Sequence, residues 1–319
     1  MRRRLPAAIL RRSFAGLVFA LGFSACAANK AAPPVAVAQD GGDAGTSWIC
    51  ESACTLADDG PRVRFAAATE LSGIAASAVH DGVYYVHNDS GDEPRFFAID
   101  DTGALRGTFR MPSAKAVDWE DVAAGPCAEG SAERCLFFGD FGDNDAKRTD
   151  YVVYRVREPA TLDGTTTDVA AERIPFRYPD GSHDCEAMLV HPTTGRLTVV
   201  TKERNGLSGI YSFPAALAAG KAVVLTRAGT LKELAGSPLV TAGDVHPEGR
   251  GVLLRTYSSL HYFAGAPGQS VEEMLTAAPC AVTVATEAQG ESVAWLRSGN
   301  GYVTLSEGAA TLHATRCGR

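Results

Sequence analysis

From residue 60 onward the chain is written in short runs whose apolar and polar positions alternate with a period of two, with almost no helical periodicity. Residues 71–77, 82–88, 95–100 and 104–111 read as four such strands, separated by the turn residues His80-Asp-Gly, Asp89-Ser-Gly-Asp-Glu-Pro and Asp100-Asp-Thr-Gly. Four strands in about 40 residues is the size of one β-propeller blade. A second blade is predicted from residue 117 through 136–141 and 151–156 to 174–178, with insertions at 127–135 and 161–168. A third takes 186–191, 196–201, 209–213 and 222–228, and a fourth takes 241–246, 251–256, 260–264 and 281–285. The fifth has only three strands, at 292–297, 301–306 and 310–316. An open apolar edge invites aggregation. The strand predicted at 62–67 has no other partner, so it is expected to close the ring as the fourth strand of the last blade.

The blades share a signature at their first strand: Glu70-Leu-Ser-Gly-Ile-Ala, Asp118-Trp-Glu-Asp-Val-Ala, Asp184-Cys-Glu-Ala-Met-Leu and Gln289-Gly-Glu-Ser-Val-Ala. Polar residues two apart share one face of a strand, so each pair points one way just before the backbone enters a core. The interval 184–289 is long enough to hold one more start, and Val240-Thr-Ala-Gly-Asp-Val supplies it, with Thr241 in the place of the second acid. The fold class is therefore all-β, a five-bladed propeller, and the long interval 118–184 leaves six blades as the alternative.

Composition changes the picture at the N-terminus. Five arginines precede an apolar run from Phe14 to Phe23, which is too short for a membrane span, and small residues follow it. This is the pattern of an export signal, expected at residues 1–25. Phe23-Ser-Ala-Cys26 resembles a bacterial lipobox, which makes Cys26 the lipidated first residue; ordinary cleavage at Ala25-Cys-Ala27 is the alternative. Residues 26–47, rich in Ala, Pro, Gly and Asp, read as a flexible tether, and 48–319 as the propeller domain. The expected address is outside the cytoplasm, on the periplasmic or cell-surface side, with membrane contact through the lipid only and a monomeric domain.

The whole chain has a formal charge of −7, and loss of residues 1–25 leaves 25 basic against 37 acidic residues, or −12. That balance excludes nucleic acid as a partner and favours metal ions or cationic ligands. Export permits disulfides. Of the seven cysteines after Cys26, Cys127 and Cys135 flank a polar hairpin tip and are expected to pair. Cys280 with Cys317, and Cys50 with Cys54, are the other expected bridges, which leaves Cys185 buried and free.

In a propeller the first strand of each blade lines the central channel and the second returns beside it, so the start of one and the end of the other share a rim. The second strands end at Asn88-Asp89, Gly139-Asp140, Thr201-Lys202, Arg255-Thr-Tyr257 and Ser306-Glu307. One mouth is thus expected to carry Glu70, Asn88, Asp118, Asp140, Asp184 and Glu291 as metal ligands. Glu120, Glu186, Lys202, Arg255 and His183 are the expected catalytic groups, with His87 close by. Acids and asparagines also cap turns. Acids on nearly every blade go beyond capping, because such a cluster repels itself unless a cation, a shared proton or a base compensates it. A hard, oxygen-bound ion such as calcium fits, with an anionic group held on Lys202 and Arg255. Residues 140–145 do not form an EF-hand loop, since Tyr151 stands where the closing Glu belongs.

These segments, together with Val86-His-Asn-Asp-Ser-Gly, Gly139-Asp-Phe-Gly-Asp-Asn, Tyr154-Arg-Val and Val200-Thr-Lys, resemble a family of exported bacterial propeller proteins over residues 62–316. More distantly, in architecture, the chain resembles phytase-like (esterase-like) and gluconolactonase-type propellers. The first kind implies a calcium-bearing mouth of acids with several lysines and arginines; this chain shares the acids and offers Lys202 and Arg255. The second implies a metal held by a few acids and an Asn, for which Glu70, Asn88 and Asp140 are similar in type. The expected function is a metal-dependent hydrolase of an ester, phosphoester or lactone, taking a small molecule or envelope ligand in the funnel. The alternative is a non-catalytic binding or scaffold propeller on the cell envelope.

Overall fold

The computed structural model describes residues 48–51, 54–57, 60–232 and 234–318. The expected signal segment, tether and Cys26 lie outside the described residues. Five sheets, each built on antiparallel strands and two of them carrying one added parallel strand, form five blades. Their innermost strands are Leu71–Ala76, Trp119–Pro126, Cys185–Val190, Val240–Val245 and Gly290–Trp295. Each packs against the next, and the last against the first, which closes the ring. Both faces of these strands are covered, which is why their sequences are nearly unbroken small and apolar runs.

Side-chain alternation builds the core between blades. In Val83–Asn88, the second strand of blade one, Tyr85 packs with Trp119 and Phe138 of blade two, while Tyr84 and Val86 pack with Val303 and Leu305 of blade five. Five such clusters, one per blade junction, make up the apolar interior. Two blades also borrow a strand. Thr166–Asp168, in the insertion at 161–168, pairs in parallel with Leu105–Arg110 of blade one, and Val223–Val224 pairs in parallel with Ala171–Arg177 of blade two. The expected strand at 222–228 is therefore divided, and only Thr226–Thr230 belongs to blade three.

Ring closure differs from expectation. The fourth strand of blade five is Cys54–Leu56, paired antiparallel with Leu312–Cys317, while Arg62 contributes one bridge to Thr311. Residues after Arg62 turn inward, where Val63 is buried and Phe65 packs at a tilt against Phe97, so 62–67 forms no edge strand. Two expected disulfides are corrected as well. Cys50 bonds Cys280 and Cys54 bonds Cys317, because the N-terminal segment lies across the outer strands of blades four and five and each cysteine meets the strand beneath it. Cys127 bonds Cys135, and Cys185 is buried and free.

The interior also carries buried acids as stitching. Asp121 accepts the backbone N–H of Val122 at 2.9 Å, of Met188 at 2.9 Å and of Gly243 at 3.4 Å, tying the inner strands of blades two, three and four. Asp244 likewise accepts Val245 and Trp295, tying blade four to blade five. Asp121→Ala would leave three buried N–H groups without an acceptor, so a loss of about 3 kcal/mol in urea unfolding is expected. A loss under about 1 kcal/mol would show that Asp121 does not hold the blades together.

Candidate functional site

Every inner strand breaks register with its neighbour at the same place: between Leu71 and Ile74, Trp119 and Val122, Cys185 and Ala187, Val240 and Ala242, and Gly290 and Ser292. A bulge sets an extra residue out of the ladder and re-aims its side chain. The positions set out in this way are Ser72, Glu120, Glu186, Thr241 and Glu291, one per blade. Ser72 and Thr241 donate their hydroxyls to backbone carbonyls of the next blade, Glu120 O at 2.8 Å and Gly290 O at 2.7 Å. The three glutamates have no such use. The residue following each second strand completes the rim: Asp89, Phe141, Lys202, Tyr257 and Glu307, each bonded through its backbone to the start of its own inner strand or the one beside it.

Two carboxylate groups result. Oxygens of Asp89, Asp118 and Glu120 lie within 4.8 Å of one another, as do oxygens of Glu120, Asp184 and Glu186, so Glu120 belongs to both. Asp118 and Glu120 fold over the backbone of Gly142, where a Cβ would stand 2.0 Å from Glu120 Oε1 and 2.6 Å from Asp118 Oδ2. A larger residue there would have to push both carboxylates aside. Glu120 is 6% exposed, and no described residue donates a hydrogen bond to its carboxylate. Glu186 accepts the Lys202 ammonium at 2.6 Å, and that ammonium lies 5.1 Å above the Tyr257 ring centre.

Burial and mutual repulsion push these acids upward. Asp118 rises to about 6, first through burial and then through Asp89. Burial raises Glu186 to about 8 against the opposing pull of Lys202, and Glu291 to about 7, with Glu307 adding to it. Glu120 is raised well above the usual range by burial, then by Glu186. Lys202 is held protonated: burial opposes its charge, but Glu186 and Tyr257 together outweigh that cost. Near neutral pH the cluster therefore retains protons that another cation would displace.

Beside the cluster opens a cavity of about 720 Å³, lined by His183, Asp184, Lys202, Glu203, Leu239 and Tyr257 among others. His183 is held by Glu203 at Nδ1 and by Asp180 at Nε2, both at 3.2 Å, with the Tyr211 hydroxyl 3.1 Å from Nε2. Other expected site residues lie outside the two carboxylate groups. Asn88 spends its amide on Thr69, Glu70, Ala67 and Asp92, and Asp140 on Arg148 and the Asp118 N–H. Glu70 is exposed on the rim, and Glu291, at the bulge of blade five, accepts Gln289 at 3.3 Å and faces Glu307. Arg255 is fully buried, with Glu287 at 3.0 Å, and its guanidinium presses against Gly290. His87 is buried behind the rim against Trp119 and Phe138, and burial lowers it to about 4. Asp89 and Tyr257 stand where the ends of the second strands place them, on the rim, while Gly142 escapes a reading of strand starts and ends.

No protein-family model matches the chain, and no curated protein is significantly similar to it.

Proposed function

We propose that the chain is an exported, lipid-anchored envelope protein whose propeller mouth binds a divalent cation, calcium by preference, and hydrolyses an ester, phosphoester or lactone. The observation that carries this reading is Glu120: buried, without a hydrogen-bond donor, shared by two carboxylate groups and set beside an open cavity. An all-oxygen donor set suits a hard ion. Calcium takes 6–8 oxygens, so carboxylates would be joined by water or substrate oxygens. When bound, such an ion would polarise an ester or phosphoryl oxygen and lower the pKa of attacking water. The chain's own groups fit the remaining tasks. Lys202 presents a fixed positive charge at the cavity wall, where charge on a substrate oxygen develops. His183, fixed by two carboxylates, can pass a proton to a leaving group from the same wall.

A hydrolase screen on phosphomonoesters, carboxylic esters and lactones, with and without calcium, tests the reading. Activity that needs calcium and falls at least a hundredfold in Glu120→Gln is expected. Calcium binding with no turnover on any of these classes would instead leave a binding propeller, and would end the hydrolase reading.

A further inference from the structure

The two carboxylate groups share Glu120 but are unequally satisfied. In the group of Glu120, Asp184 and Glu186, Lys202 Nζ stands 2.6 Å from Glu186 Oε1, and Asp184 Oδ1 accepts the backbone N–H of Asp143 at 2.8 Å. This side has its donors. In the group of Asp89, Asp118 and Glu120, no described residue donates to the carboxylate of Asp118 or of Glu120. Among the described residues, the one donor to this group is the N–H of Ser90, which bonds Asp89 at 2.5 Å within its own turn. Arg148, the nearest guanidinium to Asp118, is engaged with Asp140 at 2.8 Å. Asp89 and Asp118 are half-buried, and Glu120, the buried member, has no protein donor, so its charge is left to water or an ion to compensate.

We propose that the mouth is a one-cation site: a divalent ion binds on Asp89, Asp118 and Glu120, and the Lys202 ammonium occupies the neighbouring group as a built-in counterion that excludes a second ion. The inference rests on the cation-binding reading above and assigns its stoichiometry and its ligands. The geometry gives Lys202 little freedom to leave. Its side chain is 11% exposed, Glu186 is 5% exposed, and Tyr257 covers the ammonium from the far side. A substrate oxygen entering from the cavity would then meet one metal ion and one ammonium, which is a mixed clamp. Gly142 belongs to the same device, since a Cβ there would push the Asp118 and Glu120 carboxylates from their positions.

Calcium is the probe, counted by calorimetric titration and by metal analysis after gel filtration, on the intact domain with its disulfides. One ion per chain is expected for the wild type and two for Lys202→Met. Gly142→Ala should weaken the wild-type ion at least tenfold by displacing two ligands. Two ions on the wild type, or one ion on both the wild type and a folded Lys202→Met, overturns the assignment. Lys202→Gln serves as the second variant if the methionine form does not fold, with the same two-ion expectation. If the wild type holds no ion at all, the cation-binding reading itself fails. That outcome is distinct from a wrong count.

Discussion

Replacing Cys54 and Cys280 together by alanine is expected to remove about 9 kcal/mol of stability from the oxidised chain, on the chain-entropy account of disulfides. The two bonds span 230 and 263 residues and both join the N-terminal segment to the last two blades. The first bond to form closes a loop of more than two hundred residues, worth about 5 kcal/mol. Given the first, the second closes only the path through residues 50–54 and 280–317, roughly forty residues, worth about 4 kcal/mol. Each single variant should therefore cost about 4 kcal/mol, since its partner still holds the ring. Breaking Cys127–Cys135, which spans 8 residues at a hairpin tip, should cost about 2.5 kcal/mol. Three hydrogen-bonded positions between Cys54–Leu56 and Leu312–Cys317 do not replace the covalent clasp. Against a typical total of about 5–15 kcal/mol, the double variant should be largely unfolded at 37 °C. Urea melts of the five proteins, with and without reductant, read this directly. A double variant melting within 2 °C of the wild type would show that packing at the blade one and blade five junction closes the ring unaided.

The architecture was legible because its signals are local. Alternation, turn glycines and a repeated strand start each sit within a few residues, so five blades and their channel-facing strands could be read from the chain. The clasp was not legible in the same way. Cys50 and Cys54 lie close in sequence, yet each bonds a cysteine more than two hundred residues away, and pairing at that range is set by which outer strand lies underneath. The donated strands Thr166–Asp168 and Val223–Val224 are short and pair across blades, where no period marks them. At the mouth, the repeat placed Asp118, Glu120, Asp184, Glu186 and Lys202 together. It could not separate these from Asp140, Asn88 and Arg255, which hold similar places in the strands. What separates them is the partner each side chain meets: Arg148, the backbone of Thr69 and Glu70, and Glu287. Nor did spacing reveal that the bulge at each strand start is what turns Glu120 and Glu186 inward.

Between pH 6.5 and 8, the cation-free protein is expected to lose stability as pH rises, and calcium is expected to offset the part of that loss carried by Glu120, the ligand whose carboxyl is still raised there. Glu291 and Glu186 have folded-state pKa values of about 7 and about 8, above their unfolded values, chiefly through burial. Over this window the unfolded chain has already released those protons and the folded chain has not, so each step upward in pH favours unfolding. Asp118, at about 6, and Glu120 act in the same direction, with the Asp118 contribution complete by the start of the window. Buried His87, lowered to about 4, acts oppositely but only below pH 6.5, where the unfolded imidazole takes up its proton. Asp244, at about 7 through burial, adds to the decline from outside the mouth and does not respond to the ion. The difference between melts with calcium and with EDTA therefore isolates the mouth. Since the ion competes with protons, its stabilisation grows with pH, reaching about 4 kcal/mol at a thousandfold excess over Kd. That is about 10 °C in Tm for a domain of this size. Glu120→Gln should shrink the calcium shift at pH 8 to under about 3 °C and flatten its pH dependence, because one shared ligand and one titrating group are removed together. A calcium shift that is the same at pH 6 and pH 8, or absent at both, would show that the raised carboxylates of the mouth are not exchanging protons for a metal ion.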